Sequence, residues 1–215
     1  MSGLSLSSVG FVGSLGSGVV VPATDPFPPT HFLRLPSGGY ASGTVVGGLP
    51  VGQNWEFQLD TYLSTAQAGG QGYAFCVYNA GAQLLALIYG YTSGRWQLWR
   101  FNSASGSTGI LFPAMTADAW HRLKAVCTTD VVQLYVDGTA VGSPTAFNIE
   151  PIMAGMEINL GRMDAAGANP LAFDCHLLQI TAEGVLGQRC LLETTGTDAT
   201  ANHNNLTLGG AAAFV

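Results

Sequence analysis

The stretch AWHRLKAVCTTDVVQLYVDGTAVGSP, from Ala119 to Pro144, indicates the fold more clearly than any other part of the chain. Mostly apolar side chains occupy alternate positions from His121 to Thr128, and the alternation resumes from Val131 to Val136. A period of two residues is that of a β-strand with one covered face. Asp137-Gly138 ends the second run, and this dipeptide suits the positive φ angles of a two-residue hairpin turn. The stretch therefore predicts a meander of antiparallel strands.

Strand patterns of the same kind recur along most of the chain. From Asn54 to Leu63, mostly apolar residues alternate with polar ones, as expected for a sheet with one covered face. Leu84–Tyr89 is apolar on both faces, which predicts a central strand. Turn residues recur roughly every 8–12 positions, a spacing typical of an all-β sandwich. We therefore predict an all-β fold with two antiparallel sheets.

Three motifs resemble those of laminin-G-like domains. Trp120-His121 precedes a strand that leads to Leu134–Gly138, Ile158–Arg162 has the form hydrophobic-x-hydrophobic-Gly-Arg, and Phe173–Ile180 resembles a late strand of those domains. Laminin-G-like domains belong to the concanavalin A-like lectin/glucanase jelly rolls. The resemblance extends from Phe32 to Ile180 and implies an antiparallel two-sheet jelly-roll sandwich. It implies little about activity, because lectins, glycanases, receptors and virus-particle proteins all share this fold.

We predict two parts, an extended N-terminal arm over residues 1–30 and a concanavalin A-like β-sandwich over residues 31–215. The arm is rich in Gly and Ser and closes with several prolines, which favours extended backbone over independent order. Ordering one residue costs about 1–2 kcal/mol of conformational entropy, so a segment of this composition needs contacts beyond those of its own domain. We therefore expect a neighbouring subunit, either a second copy or another protein, to hold the arm.

The composition excludes several classes of partner. Charged residues make up only 9% of the chain and its formal net charge is −6, whereas ordinary soluble domains have about 25% charged residues. Such a chain is not expected to bind nucleic acid or an anionic membrane. No run approaches the roughly 18–20 apolar residues of a membrane span. Met1–Val21 lacks the basic start of a secretory signal, so we predict no signal peptide.

No arrangement of residues in the sequence indicates catalysis. Glycanases of the concanavalin A-like superfamily carry a Glu-x-Asp-x-x-Glu strand, whose acid and nucleophile lie about 5–5.5 Å apart. The nearest match here, Glu157-Ile158-Asn159, lacks the Asp and the second Glu. The histidines are isolated from nucleophile and zinc motifs, and we interpret His121 and His176 as structural. We therefore predict that the protein is not an enzyme.

We also predict no cofactor. Calcium is the alternative, because it binds at the rims of related sandwiches through carboxylate and amide oxygens. The residues with suitable oxygens are Asp60, Asp130, Asp164, Asn169 and Asp174, and no two of them share a ligand spacing. The cysteines, Cys76, Cys127, Cys175 and Cys190, form no CxxC pair, which favours buried thiols over a disulfide or a metal cluster.

Trp99 is the candidate for sugar recognition, because an exposed aromatic ring stacks on the C–H face of a sugar. Trp96 and Trp99 fall on opposite faces of the predicted strand Arg95–Phe101. Arg95 and Gln97 share the face of Trp99. We therefore predict that Trp96 points inward and that any glycan contact is made by Trp99 with these two neighbours. We favour the interpretation that Trp99 packs under a loop or at a subunit contact, and glycan contact is the alternative.

The predicted function is structural. Low charge, richness in Gly, Ser and Ala and the lack of a signal peptide are similar to those of structural proteins in tailed-bacteriophage particles. We predict a non-enzymatic virion component (capsid decoration, fibre or tail), made in the host cytoplasm. Residues 1–30 would anchor it as a homo-oligomer or to other virion proteins. The alternative is a carbohydrate-binding, lectin-like module that recognises surface glycans.

Overall fold

The computed structural model describes residues 27–46, 54–79, 82–90, 94–102, 106–164, 166–183, 185–192 and 205–215. Every regular element in these ranges is a β-strand. This part of the chain contains no helix long and apolar enough to cross a membrane. In chain order the strands are β1 (Leu33–Leu35), β2 (Tyr40–Thr44), β3 (Trp55–Tyr62), β4 (Gly72–Asn79), β5 (Ala82–Tyr89), β6 (Trp96–Asn102), β7 (Gly106–Leu111), β8 (Trp120–Thr128), β9 (Val131–Val136), β10 (Thr139–Ala146), β11 (Glu157–Leu160), β12 (Phe173–Ala182), β13 (Val185–Leu191), β14 (Thr207–Gly209) and β15 (Ala213–Phe214).

The strands form two antiparallel sheets. The eight-stranded sheet has the order β10-β9-β8-β3-β12-β1-β15, and β13 also pairs with β12. The seven-stranded sheet has the order β14-β2-β11-β4-β5-β6-β7. The successive strands β8, β9 and β10 are neighbours, so the predicted meander is confirmed. Strand β5 lies inside its sheet between β4 and β6, as its two apolar faces predict.

The inner faces of the two sheets pack on each other and form the main core. In β3 the side chains of Trp55, Phe57 and Leu59 are buried there, which confirms the predicted alternation of this strand. The ring of Phe57 lies 4.9 Å, centroid to centroid, from the ring of Phe75 in β4. This aromatic pair joins the two sheets, and the intervening side chains of β3, among them Asp60, face outward.

The turn at Asp137-Gly138 adopts the conformation that its sequence predicts. Asp137 has φ +51° and Gly138 has φ +80°. Val136 pairs with Thr139 across the turn, so β9 and β10 form a two-residue hairpin.

The strand β2 covers Tyr40–Thr44, lies between β11 and β14 and ends before Val45. The Val45 amide donates to the carbonyl of Met156, and the Val45 carbonyl accepts from the amide of Gly155. These bonds hold Val45 against the turn that precedes β11, so the pairing of β2 ends before it.

Residues 1–26 of the predicted arm lie outside the described residues. The described end of the arm follows the outer face of the eight-stranded sheet, where Arg122 Cζ lies 4.8 Å from the centroid of the Phe27 ring. Phe32 and Val215 exchange backbone hydrogen bonds of 3.0 and 2.8 Å, which tie the start of β1 to the end of β15. The boundary of the arm at residue 30 stays a prediction.

Replacing Phe57 by Ala should lower the free energy of unfolding by about 3–5 kcal/mol, because the change leaves a cavity at the contact between the sheets. Urea unfolding followed by tryptophan fluorescence measures the loss. Met153→Ala is the control, since Met153 is 57% exposed and surface changes usually alter stability by less than about 0.5 kcal/mol. Equal losses in the two variants would contradict the assignment of Phe57 to the core.

Candidate functional site

One row of side chains crosses the whole outer face of the seven-stranded sheet. The strands are in register there, so each member of the row lies directly opposite the next. The row consists of Gly109, Trp99, Ala86, Cys76, Asn159, Ser42 and Thr207. Because neighbouring strands are about 4.8 Å apart, the row extends about 14 Å from Trp99 to Asn159 and about 19 Å from Trp99 to Ser42.

The Trp99 end of the row is apolar. Trp99, Tyr78 and Met163, which we call the apolar platform, are partly exposed. They pack on the fully buried Cys76 and Ala86, in a cluster separate from the main core. The platform therefore offers aromatic and thioether surface on the outside of the sheet.

A glycine in the edge strand β7 makes room for the indole. A Cβ atom at Gly109 would lie 2.8 Å from Trp99 Cε3 and 2.1 Å from Gln97 Nε2. The Trp99 ring and the Gln97 amide therefore lie over the backbone of β7, and a side chain at position 109 would displace both.

The Asn159 end of the row opens into a cleft of about 470 Å³, which we call the polar cleft. Its described lining consists of Ser42, Gly43, Thr44, Val46, Glu157, Asn159, Arg162, Asn205 and Thr207. Glu157 pairs with Tyr78 across β11 and β4, so the cleft adjoins the apolar platform directly.

Arg162 is at the centre of the polar cleft. Its Nε donates to Asn159 Oδ1 at 3.2 Å and its Nη2 donates to Ser42 Oγ at 3.1 Å. The Asn159 amide donates in turn to Glu157 Oε2 at 3.3 Å. The Arg162 guanidinium also covers the Tyr40 ring, with Cζ 3.4 Å from the centroid. Because Asn159 is fully buried and Arg162 is 8% exposed, the network orders its polar groups in advance of any ligand.

Gly161 turns the chain back after β11 and so positions Arg162. Its φ is +81°, a conformation that residues with side chains rarely adopt. A Cβ atom here would also lie 2.7 Å from the carbonyl oxygen of Gly39. The tight turn carries Arg162 over β11 and β2, where its donors reach Asn159 and Ser42.

The polar cleft has the groups needed to recognise hydroxyls. Guanidinium and amide groups supply directed donors, while the carboxylate of Glu157 and the hydroxyls of Ser42 and Thr207 supply acceptors. Glu157 is the one carboxylate among the described residues of the cleft. Glycoside hydrolysis usually needs a pair of carboxyl groups about 5–9.5 Å apart, and the described residues of the cleft supply one.

Comparisons with known proteins address the fold. No protein-family model matches this chain, and no curated protein sequence matches it. Among solved structures, the native heptameric SAP-like pentraxin from Limulus polyphemus is similar to it, with a TM-score of 0.59 at 11% identity over 86% of this chain and 94% of that chain. A candidate carbohydrate binding protein from Bacteroides ovatus also has a TM-score of 0.59, at 14% identity over 86% of this chain and 59% of that chain.

The mouse laminin α1 chain, domains LG4-5, has a TM-score of 0.52 at 16% identity, over 70% of this chain and 40% of that chain. This chain has the fold of the concanavalin A-like jelly rolls. The likeness to a pentraxin and to laminin G domains confirms the predicted fold. At these low identities the likeness shows the fold alone. This chain spans 59% of the Bacteroides chain and 40% of the laminin chain. The relation to bacteriophage particles stays a prediction.

The jelly roll brings together two of the three predicted glycan contacts. Trp96 is 4% exposed in the core and Trp99 lies on the outer face beside Gln97, as the sequence predicts. Arg95 lies elsewhere: its Nε donates to the Phe112 carbonyl at 2.7 Å, and it lines a separate cavity of about 70 Å³. Placing Arg95 on the Trp99 face is wrong, because β6 begins at Trp96 and Arg95 precedes the alternation.

The polar cleft was not predicted from the sequence, although part of it has a sequence signal. Ile158–Arg162 indicates the fold, and the alternation within β11 places Glu157 and Asn159 on the face opposite Ile158. The hydrogen bond from Arg162 to Ser42 has no such signal, because the two residues are 120 positions apart in the chain. No local pattern indicates that contact.

The outer face of the eight-stranded sheet of the jelly roll holds a buried carboxylate. Asp60 is fully buried and accepts two hydrogen bonds of 2.8 Å from Arg122. The Nδ1 atom of the buried His176 lies 3.5 Å from Asp60 Oδ2. Burial raises the pKa of Asp60, but hydrogen bonds from Arg122 and His176 outweigh burial and bring the pKa below its ordinary value. His176 therefore belongs to a structural ion network, as predicted.

A second carboxylate on this face behaves in the opposite way. Asp174 forms an ion pair of 3.1 Å with Arg34, but burial outweighs the pairing and the pKa of Asp174 lies above its ordinary value. Asp60 and Asp174 are two of the residues with oxygens suited to calcium, and each contacts an arginine instead. Among the described residues, no three His, Cys, Asp or Glu side chains are grouped to hold a metal ion. The lack of a cofactor stays a prediction.

His121 also has a structural role. Its Nδ1 lies 2.9 Å from Asp137 Oδ2, in the hairpin turn. Its Nε2 lies 3.1 Å from the Thr116 carbonyl oxygen, in the segment before β8. The imidazole therefore joins the turn to that segment.

All four cysteines are buried, and none of them forms a disulfide. Burial raises the pKa of Cys127 to about 11 and also raises the pKa of Cys76 and of Cys175. Thiols with raised pKa values are seldom ionised at neutral pH, which makes them poor nucleophiles and metal ligands. The predicted burial of the four thiols is confirmed, and their role as small hydrophobic groups stays a prediction.

We expect Asp60→Asn to destabilise the protein at pH 7, toward the lower end of the ~3–5 kcal/mol typical of a broken buried pair, because Arg122 is partly exposed. This loss of unfolding free energy should shrink as the pH falls below about 4. Folding lowers the pKa of Asp60, so the carboxyl group stabilises the folded state only while it is ionised. Urea unfolding between neutral and acid pH measures it.

Asp174→Asn is the matched control for this pH dependence. The raised pKa of Asp174 means that folding disfavours its ionised form. The free energy of unfolding of the wild type, relative to that of this variant, should therefore rise toward acid pH. The same pH dependence in both variants would contradict the opposed environments of the two carboxylates.

Proposed function

We propose that this protein is a non-enzymatic carbohydrate-binding module whose ligand lies on the outer face of the seven-stranded sheet. One observation carries the proposal: the row from Trp99 to Ser42 joins the apolar platform to the preformed polar cleft. Aromatic rings stack on the C–H faces of sugars, while fixed donors and acceptors select their hydroxyl groups. Protein sites that bind sugars need both kinds of surface close together.

The comparisons support this proposal by analogy. The similar protein from Bacteroides ovatus is named as a candidate carbohydrate binding protein. A shared fold at this identity does not carry function by itself. The analogy supports glycan binding here because the outer face of the seven-stranded sheet has its own stacking and hydrogen-bonding groups. It favours glycan recognition over the virion role as the main function.

The non-enzymatic part of the proposal rests on the described side chains. Glu157 hydrogen-bonds Asn159 in the polar cleft, where no second described carboxylate lies. His121 and His176 each contact an Asp in a structural network, on parts of the molecule away from the cleft. These arrangements suit binding and support rather than proton transfer to a substrate.

A glycan array tests the proposal, with Trp99→Ala as the binding variant. Trp120→Ala is the matched control, since Trp120 is also partly exposed but lies on the outer face of the eight-stranded sheet. We expect Trp99→Ala to weaken binding about tenfold or more, equivalent to about 1.4 kcal/mol, and Trp120→Ala to leave it unchanged. The absence of any saturable glycan binding, or equal losses in both variants, would refute the assignment.

A second proposed role is assembly through residues 1–30, as a component of a bacteriophage particle that carries this jelly roll at its surface. The described end of the arm lies on the outer face of the eight-stranded sheet, where Phe27 contacts Arg122, so we expect the partner on that side of the domain. A partner held by the arm there would leave the opposite, seven-stranded face open to glycans. The two proposed roles are therefore compatible on one domain.

Deleting residues 1–26, while keeping Phe27, should leave the domain folded and reduce the mass of the assembly to that of a single chain. Light scattering gives the mass, and thermal unfolding shows whether the core is intact. A full-length chain that is itself monomeric would exclude self-assembly through the arm. Loss of folding on truncation would show that the arm belongs to the core.

A further inference from the structure

We propose that the ligand is an uncharged glycan chain several sugar units long, which crosses the strands of the seven-stranded sheet from Trp99 to Arg162. This inference rests on the proposed function and specifies its ligand class. It follows from the length of the row, from the continuity of the surface along it and from the charges in the polar cleft.

The length of the row excludes a single sugar as the full ligand. Trp99 and Asn159 are separated by three strand spacings, or about 14 Å, which is longer than one pyranose ring. A monosaccharide therefore cannot contact both Trp99 and the network around Arg162. Only a chain of several units contacts both, and it must cross the strands because the row does.

The surface between the two ends is continuous. Ala86 and Cys76, the central members of the row, have short side chains that are fully buried. Tyr78, Met163 and Trp99 all pack against the buried cluster that contains these two residues. Aromatic and thioether surface therefore extends from the indole to the edge of the polar cleft, where a chain can lie with its C–H faces on the protein.

The charges in the polar cleft favour a neutral ligand. Its two charged described residues are Arg162 and Glu157, of opposite sign. A carboxylate is normally bound by two parallel N–H donors of a guanidinium. In Arg162 the Nε and Nη2 donors point at Asn159 and Ser42, so that edge is already occupied.

An acidic sugar would also bring a like charge close to Glu157, on a chain whose net charge is −6. Hydroxyl groups have no such cost. They accept from the Asn205 amide and from the Ser42 and Thr207 hydroxyls, and they donate to the carboxylate of Glu157. Neutral sugars therefore satisfy the cleft, whereas uronic or sialic acids do not.

The test uses the full chain on an array of neutral and acidic glycans that range from single sugars to hexasaccharides, followed by calorimetry on the bound series. We expect neutral glycans of at least three units to bind at least tenfold more tightly than their shorter fragments. Trp99→Ala should reduce the affinity for long chains to about that for short ones, whereas Trp120→Ala should leave the affinity for every length unchanged. Glu157→Gln, which preserves shape, should weaken all lengths.

Each contrary outcome has a separate meaning. Failure of the wild type to bind any glycan overturns the proposed function together with this inference. Binding of a monosaccharide as tightly as its longer homologues overturns the extended ligand but leaves glycan binding intact. A preference for acidic glycans overturns the neutral ligand class. Trp120→Ala and the melting temperature of each variant separate a lost contact from a lost fold.

Discussion

Burial of the two inner sheet faces is the constraint on which the rest of the structure depends. Phe57 against Phe75 is its centre, where each sheet supplies one ring. Because side chains alternate with a period of two, a shift of one residue in any strand would turn its apolar residues to the outside. The core therefore determines what the outer faces carry. In β11, Ile158 and Leu160 are buried, which directs Glu157 and Asn159 outward.

The two outer faces use this constraint differently. On the eight-stranded sheet, the buried Asp60 is compensated by Arg122, and the described end of the arm packs there through Phe27. On the seven-stranded sheet, the buried Arg162 is compensated by polar side chains and an aromatic ring beside an open cleft. The outer face of the eight-stranded sheet thus contacts the described end of the arm, whereas that of the seven-stranded sheet carries an open polar cleft.

The low charge of the chain fits this division. Charged residues make up only 9% of the chain, and several of the described ones form ion pairs, so much of the described outer surface is uncharged. Such a surface binds through shape, stacking and hydrogen bonds rather than through long-range attraction. The neutral, hydroxyl-rich ligand that we propose is compatible with such a surface.

The sequence by itself determined the elements: the alternation of Asn54–Leu63, the hairpin at Asp137-Gly138 and the opposite directions of Trp96 and Trp99 all follow from local periodicity and turn chemistry. Only the tertiary structure decided which elements meet. Arg162 reaches Ser42 across 120 positions, and the site exists because β11 lies between β2 and β4. Strand order depends on long-range pairing, which leaves no local pattern in the sequence.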